Sequence, residues 1–520
     1  MYGLTEFVKS NARAIPKAYA TKTADGGTTW SQFEDRVARL ASALRELGAA
    51  DGERAAILAL NSHRYLEYYF AVWWAGGAVV PLNVRWSVTE NAYSLNDSGS
   101  KVLFVDRAFA PMIDDLRSEV ESLETVIYLD DGAPPQGTVA YEDLIGSSAS
   151  CADAGRSGKD LAGLYYTGGT TGFPKGVMLS HEAIWFNNSV CGTLFQFRSG
   201  DVLLHAAPMF HLADGSMSGG ATAAGVAHVF VPAFEPLAVM KALAEYKVTH
   251  PVLVPTMWDM ILNHPEFDPA CFETVRDALY GASPMPKGLL QQIIDTLPNV
   301  KLTQGYGQTE MGPVISLLLP DSHAEEGAAG GLLSSAGKAC VGVEVRICDE
   351  DGNDVPNGDV GEIVARSPGS MTGYWNMPEA TEATLNDCWV KTGDGAYRDD
   401  EGFLFIVDRI KDMIVTGGEN VFSAEVESCI STHPDVAAVA VIGIPSEKWG
   451  EEVHAIIIPT EGAEPSLERI LSHLDGQIAN YKRPRSLSLR CEPFPLSGAG
   501  KVLKRDLRAP FWEGRTRNVS

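Results

Sequence analysis

Neither a C-x-x-C pair nor a His/Cys cluster at zinc spacing occurs in the sequence, which argues against a structural zinc site. The eight cysteines are scattered from Cys151 to Cys491. They are too dilute for a disulfide scaffold, and the reduced thiols of a cytoplasmic protein are expected. Basic residues are few: 41 Lys and Arg stand against 67 Asp and Glu, a net charge of −26. A binder of nucleic acid or of an anionic membrane needs a basic excess, so neither class is expected. A local cluster can still hold a phosphate on an acidic protein. No apolar signal core opens the chain, and its end carries no lipidation or peroxisomal signal. The longest apolar run, residues 68–80, is broken by Gly76 and Gly77. It falls short of the about 20 residues that span a bilayer, so no transmembrane segment is expected. Internal repeats and low-complexity tracts are also missing.

What remains is an ordinary globular composition, 45% hydrophobic and 21% charged. A chain of 520 residues exceeds a single core, so at least two domains are expected. Short β-branched runs at 55–60, 79–82, 101–105 and 125–129 read as buried strands. Stretches 31–47 and 63–74 read as helices. Alternating β and α signals predict an α/β fold with helices covering sheets. A strand signal at 401–407 leads into Asp408-Arg409-Ile410-Lys411-Asp412, and a new β–α–β pattern follows. The expected division is a large domain over 1–409, a hinge at 410–412 and a small domain over 413–520.

The strongest local signal is Tyr165-Tyr166-Thr167-Gly168-Gly169-Thr170-Thr171-Gly172-Phe173-Pro174-Lys175-Gly176. Its glycines let backbone N–H groups turn toward an anion, its threonines add hydroxyl donors, and Lys175 adds a positive charge. A Gly/Thr-rich surface loop is the alternative. The segment is not a G-x-x-x-x-G-K-[ST] loop, because no Lys-Ser or Lys-Thr follows the glycines. Further on, Gln304-Gly305-Tyr306-Gly307-Gln308-Thr309-Glu310 offers a flat ring, a hydroxyl donor and a hard carboxylate oxygen suited to Mg²⁺.

These segments, in this order, resemble the adenylate-forming superfamily: acyl-CoA synthetases, firefly luciferase and the adenylation domains of peptide synthetases. The superfamily's phosphate loop usually reads T-S-G-T-T-G-x-P-K-G. Gly168 stands here where serine is commoner, which removes one hydroxyl donor. The resemblance implies that Thr167, Gly168, Gly169, Thr170, Thr171, Gly172 and Lys175 cradle the phosphates of ATP. It places Gly281, Ala282 and Ser283 along the adenine face. Gln304, Gly305, Tyr306 and Gly307 form the adenylate loop, with the Tyr306 ring stacked on adenine. Thr309 faces the α-phosphate, and Glu310 holds Mg²⁺. Lys391-Thr392-Gly393-Asp394 resembles the T-G-D motif, whose Asp accepts from the ribose hydroxyls, and Arg409 resembles the Arg that adds a second ribose or phosphate contact. Ala207-Pro208-Met209-Phe210-His211 resembles a segment near the acyl pocket. His211 is expected there as a wall or gate, with Gly215 and Met311 in the same pocket.

Near the C-terminus, Pro495-Leu496-Ser497-Gly498-Ala499-Gly500-Lys501-Val502-Leu503-Lys504-Arg505 resembles the family's P-x-x-x-x-G-K motif. Lys501 is thereby implied as the cation that reaches the reacting carboxylate and α-phosphate, with Lys504 as its competitor. Gly417 and Gly418 resemble the loop of the pantetheine channel, Trp449 an aromatic near the CoA adenine, and Lys411 the hinge position.

The fold so implied is a large N-terminal domain of β-sheets sandwiched by helices plus a small mobile α+β domain. The activity implied is that of an acid–thiol ligase using ATP, Mg²⁺ and coenzyme A. Its partners are small molecules, and family members are commonly monomers or dimers. Loading of a carrier protein is an alternative, although no G-G-x-S carrier segment follows the small domain. A luciferase-like oxidase and a nucleotide sensor without catalysis are further alternatives; Lys501 and Glu310 argue against the sensor. Small residues after His211 (Ala213, Gly215, Ser216, Gly219, Gly220) suggest room for a medium- or long-chain fatty acid, with an aromatic acid as runner-up. No Arg or Lys stands there to hold a second carboxylate.

Overall fold

A computed structural model describes residues 3–168, 174–324, 327, 330–496 and 502–513. The largest sheet has eight strands in the order Gly373–Tyr374, Lys175–Ser180, Leu161–Thr167, Ala78–Pro81, Arg54–Leu58, Val102–Val105, Thr125–Tyr128 and Val139–Ala140. From Leu161–Thr167 onward the pairings are parallel. Four of the strands expected from the sequence therefore form the interior of one sheet. Their residues are buried on both faces, which explains why they read as continuous apolar runs without alternation. A second sheet has five strands, in the order His250–Pro251, Val202–His205, Ala227–Phe230, Tyr19–Thr21 and Thr28–Thr29.

Three helices fill the layer between these sheets. The first is α1 (His63–Ala75), which touches strands of both. The Ser62 side chain caps its N-terminus by accepting from the Tyr65 N–H, and Gly76 closes it at φ +92°. Every residue of α1 from Tyr65 onward is buried; a helix covered on all sides needs no polar face. Strands β1 (Leu161–Thr167) and β2 (Lys175–Ser180) are followed by α2 (His181–Leu194), which packs on both. Helix α3 (Leu212–Ala223) packs on the five-stranded sheet and against α2.

A third sheet contains β3 (Asp277–Gly281), β4 (Lys301–Gly307) and β5 (Val314–Leu318), edged by Lys338–Ala339. A fourth is built around β6 (Trp389–Arg398), which pairs antiparallel with β7 (Leu404–Arg409). A 3₁₀ turn at Ile410–Asp412 then opens the last unit, a five-stranded sheet with helix α4 (Ser423–Ile430) on it. Its core is separate, formed by Ile414, Val426, Val441, Ile457, Ile470 and neighbours. The expected architecture of a large sheet–helix–sheet domain and a small α+β domain is what the structure contains. No described helix is long and apolar enough to cross a membrane.

Candidate active site

The adenylate loop leaves β4 where neighbouring backbones approach closely. A Cβ on Gly281 would lie 2.3 Å from the Gly305 carbonyl oxygen, and one on Gly307 would lie 1.9 Å from that of Pro313. Only glycine fits either position. Ala282 and Ser283 follow β3 at the same end of the sheet, half-buried, with Ala282 at φ +64°.

Tyr306 and Asp394 come from different sheets and meet: the phenol donates to Asp394 Oδ2 at 2.7 Å. Arg409, cross-strand from Asp394, sets its Nε 2.6 Å from Oδ1. The Asp394 N–H donates to Thr392 Oγ1 at 3.1 Å, so the T-G-D turn is braced from within. Burial, reinforced by the Asp394 carboxylate, pushes the Tyr306 phenol well above its ordinary range, so it is a donor at any physiological pH. The sequence reading assigned Tyr306 only a stacking ring; its hydroxyl is tied to the T-G-D aspartate.

Thr309, Glu310 and Met311 form a 3₁₀ turn after β4. Glu310 Oε1 accepts from the Tyr374 phenol at 2.8 Å, and Lys175 Nζ lies 4.9 Å from the centroid of the Tyr374 ring. Tyr374 thus joins the end of the phosphate loop to the candidate metal ligand. It went unnoticed in the sequence because it lies outside every quoted motif and is placed by pairing with Val177 of β2. The turn is clamped from below by Asn187, which donates to the Met311 carbonyl at 3.3 Å and accepts from the Val314 N–H at 3.1 Å. Glu310 offers a hard anionic oxygen, held in place by one phenol, which fits a Mg²⁺ that takes one carboxylate and completes its shell with phosphates and water.

Beside this turn, and reaching Gly312, a narrow cleft lies between α1, β1, α2 and α3, with about 10 Å³ of open space, room for about one water. Its walls include Tyr69, Trp73, Tyr165, Asn188, Gly215 and Gly312, and among the described residues no charged side chain lines it. Gly215 is one of its walls. Met311 is not at the cleft: it is fully buried in a satellite core with Ile315 and Ala365. His211 caps α3, its Nδ1 accepting from the Ala213 N–H at 3.2 Å, and the adjoining wall is made by Leu212 instead. The small residues of α3 do not open a wide pocket. A Cβ on Gly219 would meet the Asn188 amide at 2.0 Å, and one on Gly220 the Cys191 Cβ at 3.0 Å, so small size lets α2 and α3 approach.

In the small domain, Gly417 and Trp449 are in contact. The Gly417 N–H donates to the Trp449 carbonyl at 2.8 Å, and a Cβ on Gly417 would sit 2.8 Å from Trp449 Cε3. Positive φ at Gly417 (61°) and Gly418 (84°) makes the turn. The Trp449 ring is exposed, with Lys448 Nζ 4.5 Å from its centroid. Lys411 lies in the 3₁₀ turn that separates the two units.

Lys504 points inward. Its Nζ is 2.6 Å from Ser423 Oγ and 2.7 Å from Glu427 Oε1. Burial alone would lower its pKa, but Glu427 and Asp408 outweigh that and hold it above the ordinary value. Asp408 of β7 also accepts from the Ser423 N–H at 2.5 Å, a link between the units that no motif signalled. Lys504 is therefore a structural cation. Thr167 ends β1 and Gly168 follows it at the described edge of the phosphate loop. Gly169, Thr170, Thr171, Gly172 and Lys501 lie outside the described residues.

Residues 8–375 match the AMP-binding enzyme family, and residues 425–501 match the AMP-binding enzyme C-terminal domain. The chain is 36% identical over 512 residues to a feruloyl-CoA synthase of Amycolatopsis sp, covering 98% of this chain and 99% of that one. It is 34% identical to the long-chain-fatty-acid–CoA ligase FadD13 of Mycobacterium tuberculosis, with 97% of each covered. ATP-bound MatB from Rhodopseudomonas palustris superposes with a TM-score of 0.87 at 29% identity, over 98% of each chain. The chain belongs to the AMP-binding enzyme family, in its ATP-dependent, AMP-forming acyl-CoA synthetase branch.

Proposed function

We propose that this synthetase activates a carboxylic acid with an apolar body and passes the acyl group to coenzyme A. The observation that carries the reading is the narrow cleft that reaches Gly312, beside the Glu310 turn, lined among the described residues by no charged side chain. A second carboxylate in it would be buried without a counter-charge, which is costly. Among such acids, the aromatic walls and the close approach of α2 and α3 favour a flat aromatic acid, the reading the sequence placed second. A medium- or long-chain fatty acid is the other reading; the printed activities of the relatives span both classes.

The chemistry follows from the groups in place. ATP lies with its ribose against Asp394, which Tyr306 and Arg409 orient, and its phosphates against the loop that ends at Lys175. Thr309 donates to the α-phosphate. Glu310 would hold Mg²⁺, which when bound neutralises charge on the phosphates. The acid extends its carboxylate from the cleft toward the α-phosphorus, attacks in line and expels pyrophosphate. Lys501 stabilises the charge of that step; Lys504, held by Glu427, is not available to do so. The unit beyond Lys411 then turns, and the thiol of CoA, guided by Gly417, Gly418 and Trp449, displaces AMP from the acyl carbonyl. In this scheme residues 1–409 form the adenylate-binding domain, 410–412 the hinge and 413–520 the mobile domain.

The test is AMP release against a panel of aromatic and aliphatic acids, with and without CoA. CoA-dependent AMP release together with an acyl-CoA product supports the reading. Pyrophosphate release without any CoA thioester would move the activity to carrier-protein loading.

A further inference from the structure

At the wall of the acyl cleft, one buried amide oxygen has no hydrogen-bond partner among the described residues. Asn188 lies on α2, facing the cleft, and is only 2% exposed. Its Oδ1 is buried and has no hydrogen-bond partner among the described residues. Three other polar side chains at the wall are bonded: the Tyr69 phenol donates to the Met209 carbonyl at 2.8 Å, the Trp73 indole to that of Ala162 at 2.9 Å, and Ser218 to that of Asp214 at 3.1 Å. The neighbouring Asn187 is also satisfied, as the clamp under the Glu310 turn. An unpaired buried amide oxygen is costly and is rarely retained without a partner that arrives later. The amide is also fixed in place: it lies flat over Gly219, where even a Cβ would come within 2.0 Å of Nδ2.

We propose that Asn188 is a specificity-determining residue: its amide oxygen accepts a hydrogen bond from a hydroxyl or amino substituent on the body of the acid. This rests on the reading of the cleft as the acyl site. The walls beside Asn188 are the rings of Tyr69, Phe70, Trp73 and Tyr165, so the body that carries the donor is an aromatic ring. The substrate class is then a ring-hydroxylated or ring-aminated aromatic acid. An acid of the same shape without the substituent would bury the Asn188 oxygen unpaired and be rejected. A site built to bond a hydroxyl discriminates far more strongly than one that measures only size.

The experiment uses matched acids, 4-hydroxycinnamate against cinnamate and 4-aminobenzoate against benzoate, with the full-length enzyme, ATP, Mg²⁺ and CoA. In at least one pair, wild type is expected to favour the donor-bearing acid at least about tenfold in kcat/KM. Asn188→Leu should bring that ratio to within about twofold of unity, chiefly through the donor-bearing acid, and leave KM for ATP unchanged. Asn188→Ser replaces the amide with a hydroxyl that can still accept, and relieves packing against Gly219; it should retain part of the preference and guards against a folding defect in the leucine variant. Equal kcat/KM within both pairs for wild type, or an unchanged preference in Asn188→Leu, overturns the proposal while any thioester formation leaves the ligase reading standing. Absence of thioester from every acid, aliphatic ones included, overturns the ligase reading itself and this proposal with it.

Discussion

The phenol of Tyr306 and the carboxylate of Asp394 are hydrogen-bonded at 2.7 Å although 88 residues and two different sheets separate them. Tyr306→Phe keeps the ring and the Asp394–Arg409 pair but removes a donor to a charged acceptor, worth about 1.5–3 kcal/mol. Because Asp394 loses one of the groups that orient it, the expected result is a lowered melting temperature together with a several-fold rise in KM for ATP. Pyrophosphate–ATP exchange at varied ATP measures it.

Tyr374 holds Glu310 Oε1 at 2.8 Å. In Tyr374→Phe that carboxylate is free to rotate, so the Mg²⁺ concentration for half-maximal activity should rise several-fold. The same titration on Glu310→Gln should show a larger loss that added Mg²⁺ does not restore.

Two nearby lysines should fail in different ways. Lys504→Met leaves Glu427 buried without its partner, a loss of about 3–5 kcal/mol, and should lower the melting temperature. Lys501→Ala should leave the melting temperature unchanged and slow adenylation about 10²–10³-fold. Thermal denaturation run beside pyrophosphate exchange separates the two.

Much of this was legible in the sequence. The strands at 55–58, 78–81, 102–105 and 125–128 and the helix at 63–75 fall within a residue or two of their expected positions, because runs buried on both faces cannot be polar. The motifs Gln304–Glu310 and Lys391–Asp394 meet through Tyr306 and Asp394. What the sequence did not carry is pairing between distant segments. Tyr374 and Asp408 act through partners 64 and 15 residues away, and no local pattern marks them. The role of Gly219 and Gly220 was misjudged for a physical reason: a missing side chain can make a cavity or bring two helices together, and only the neighbour's position decides. The Asn187-Asn188 pair, following the apolar run Ala183–Phe186, was the one available hint of buried amides.

Asp277 supplies a pH prediction. Burial raises its carboxyl to about 6, against which hydrogen bonds from Thr303 at 2.9 and 3.1 Å work only in part. A carboxyl raised in the folded state favours folding below its unfolded value of 3.8, and that contribution is lost as pH rises through about 6. Asp277→Asn should therefore raise the melting temperature at pH 7.5, by a stabilisation on the order of 1–2 kcal/mol, and give less at pH 5. Melting curves of both proteins at the two pH values check the sign.

Gly417 and Trp449 lie in contact in the small domain, and the proposed scheme uses them in the second half-reaction alone. Trp449→Ala should raise KM for CoA several-fold and leave pyrophosphate exchange at the wild-type rate. Steady-state kinetics at varied CoA, run beside the exchange assay, distinguish the steps.

The most direct test of the account follows one oxygen. A carboxylic acid substrate labelled with ¹⁸O in both carboxylate oxygens is turned over with ATP, Mg²⁺ and CoA, and the products are weighed by mass spectrometry. Attack of the carboxylate on the α-phosphorus predicts AMP carrying one ¹⁸O and an acyl-CoA retaining the other. Unlabelled AMP, or ADP with the label in inorganic phosphate, would contradict an adenylate intermediate and with it the assignment of this site.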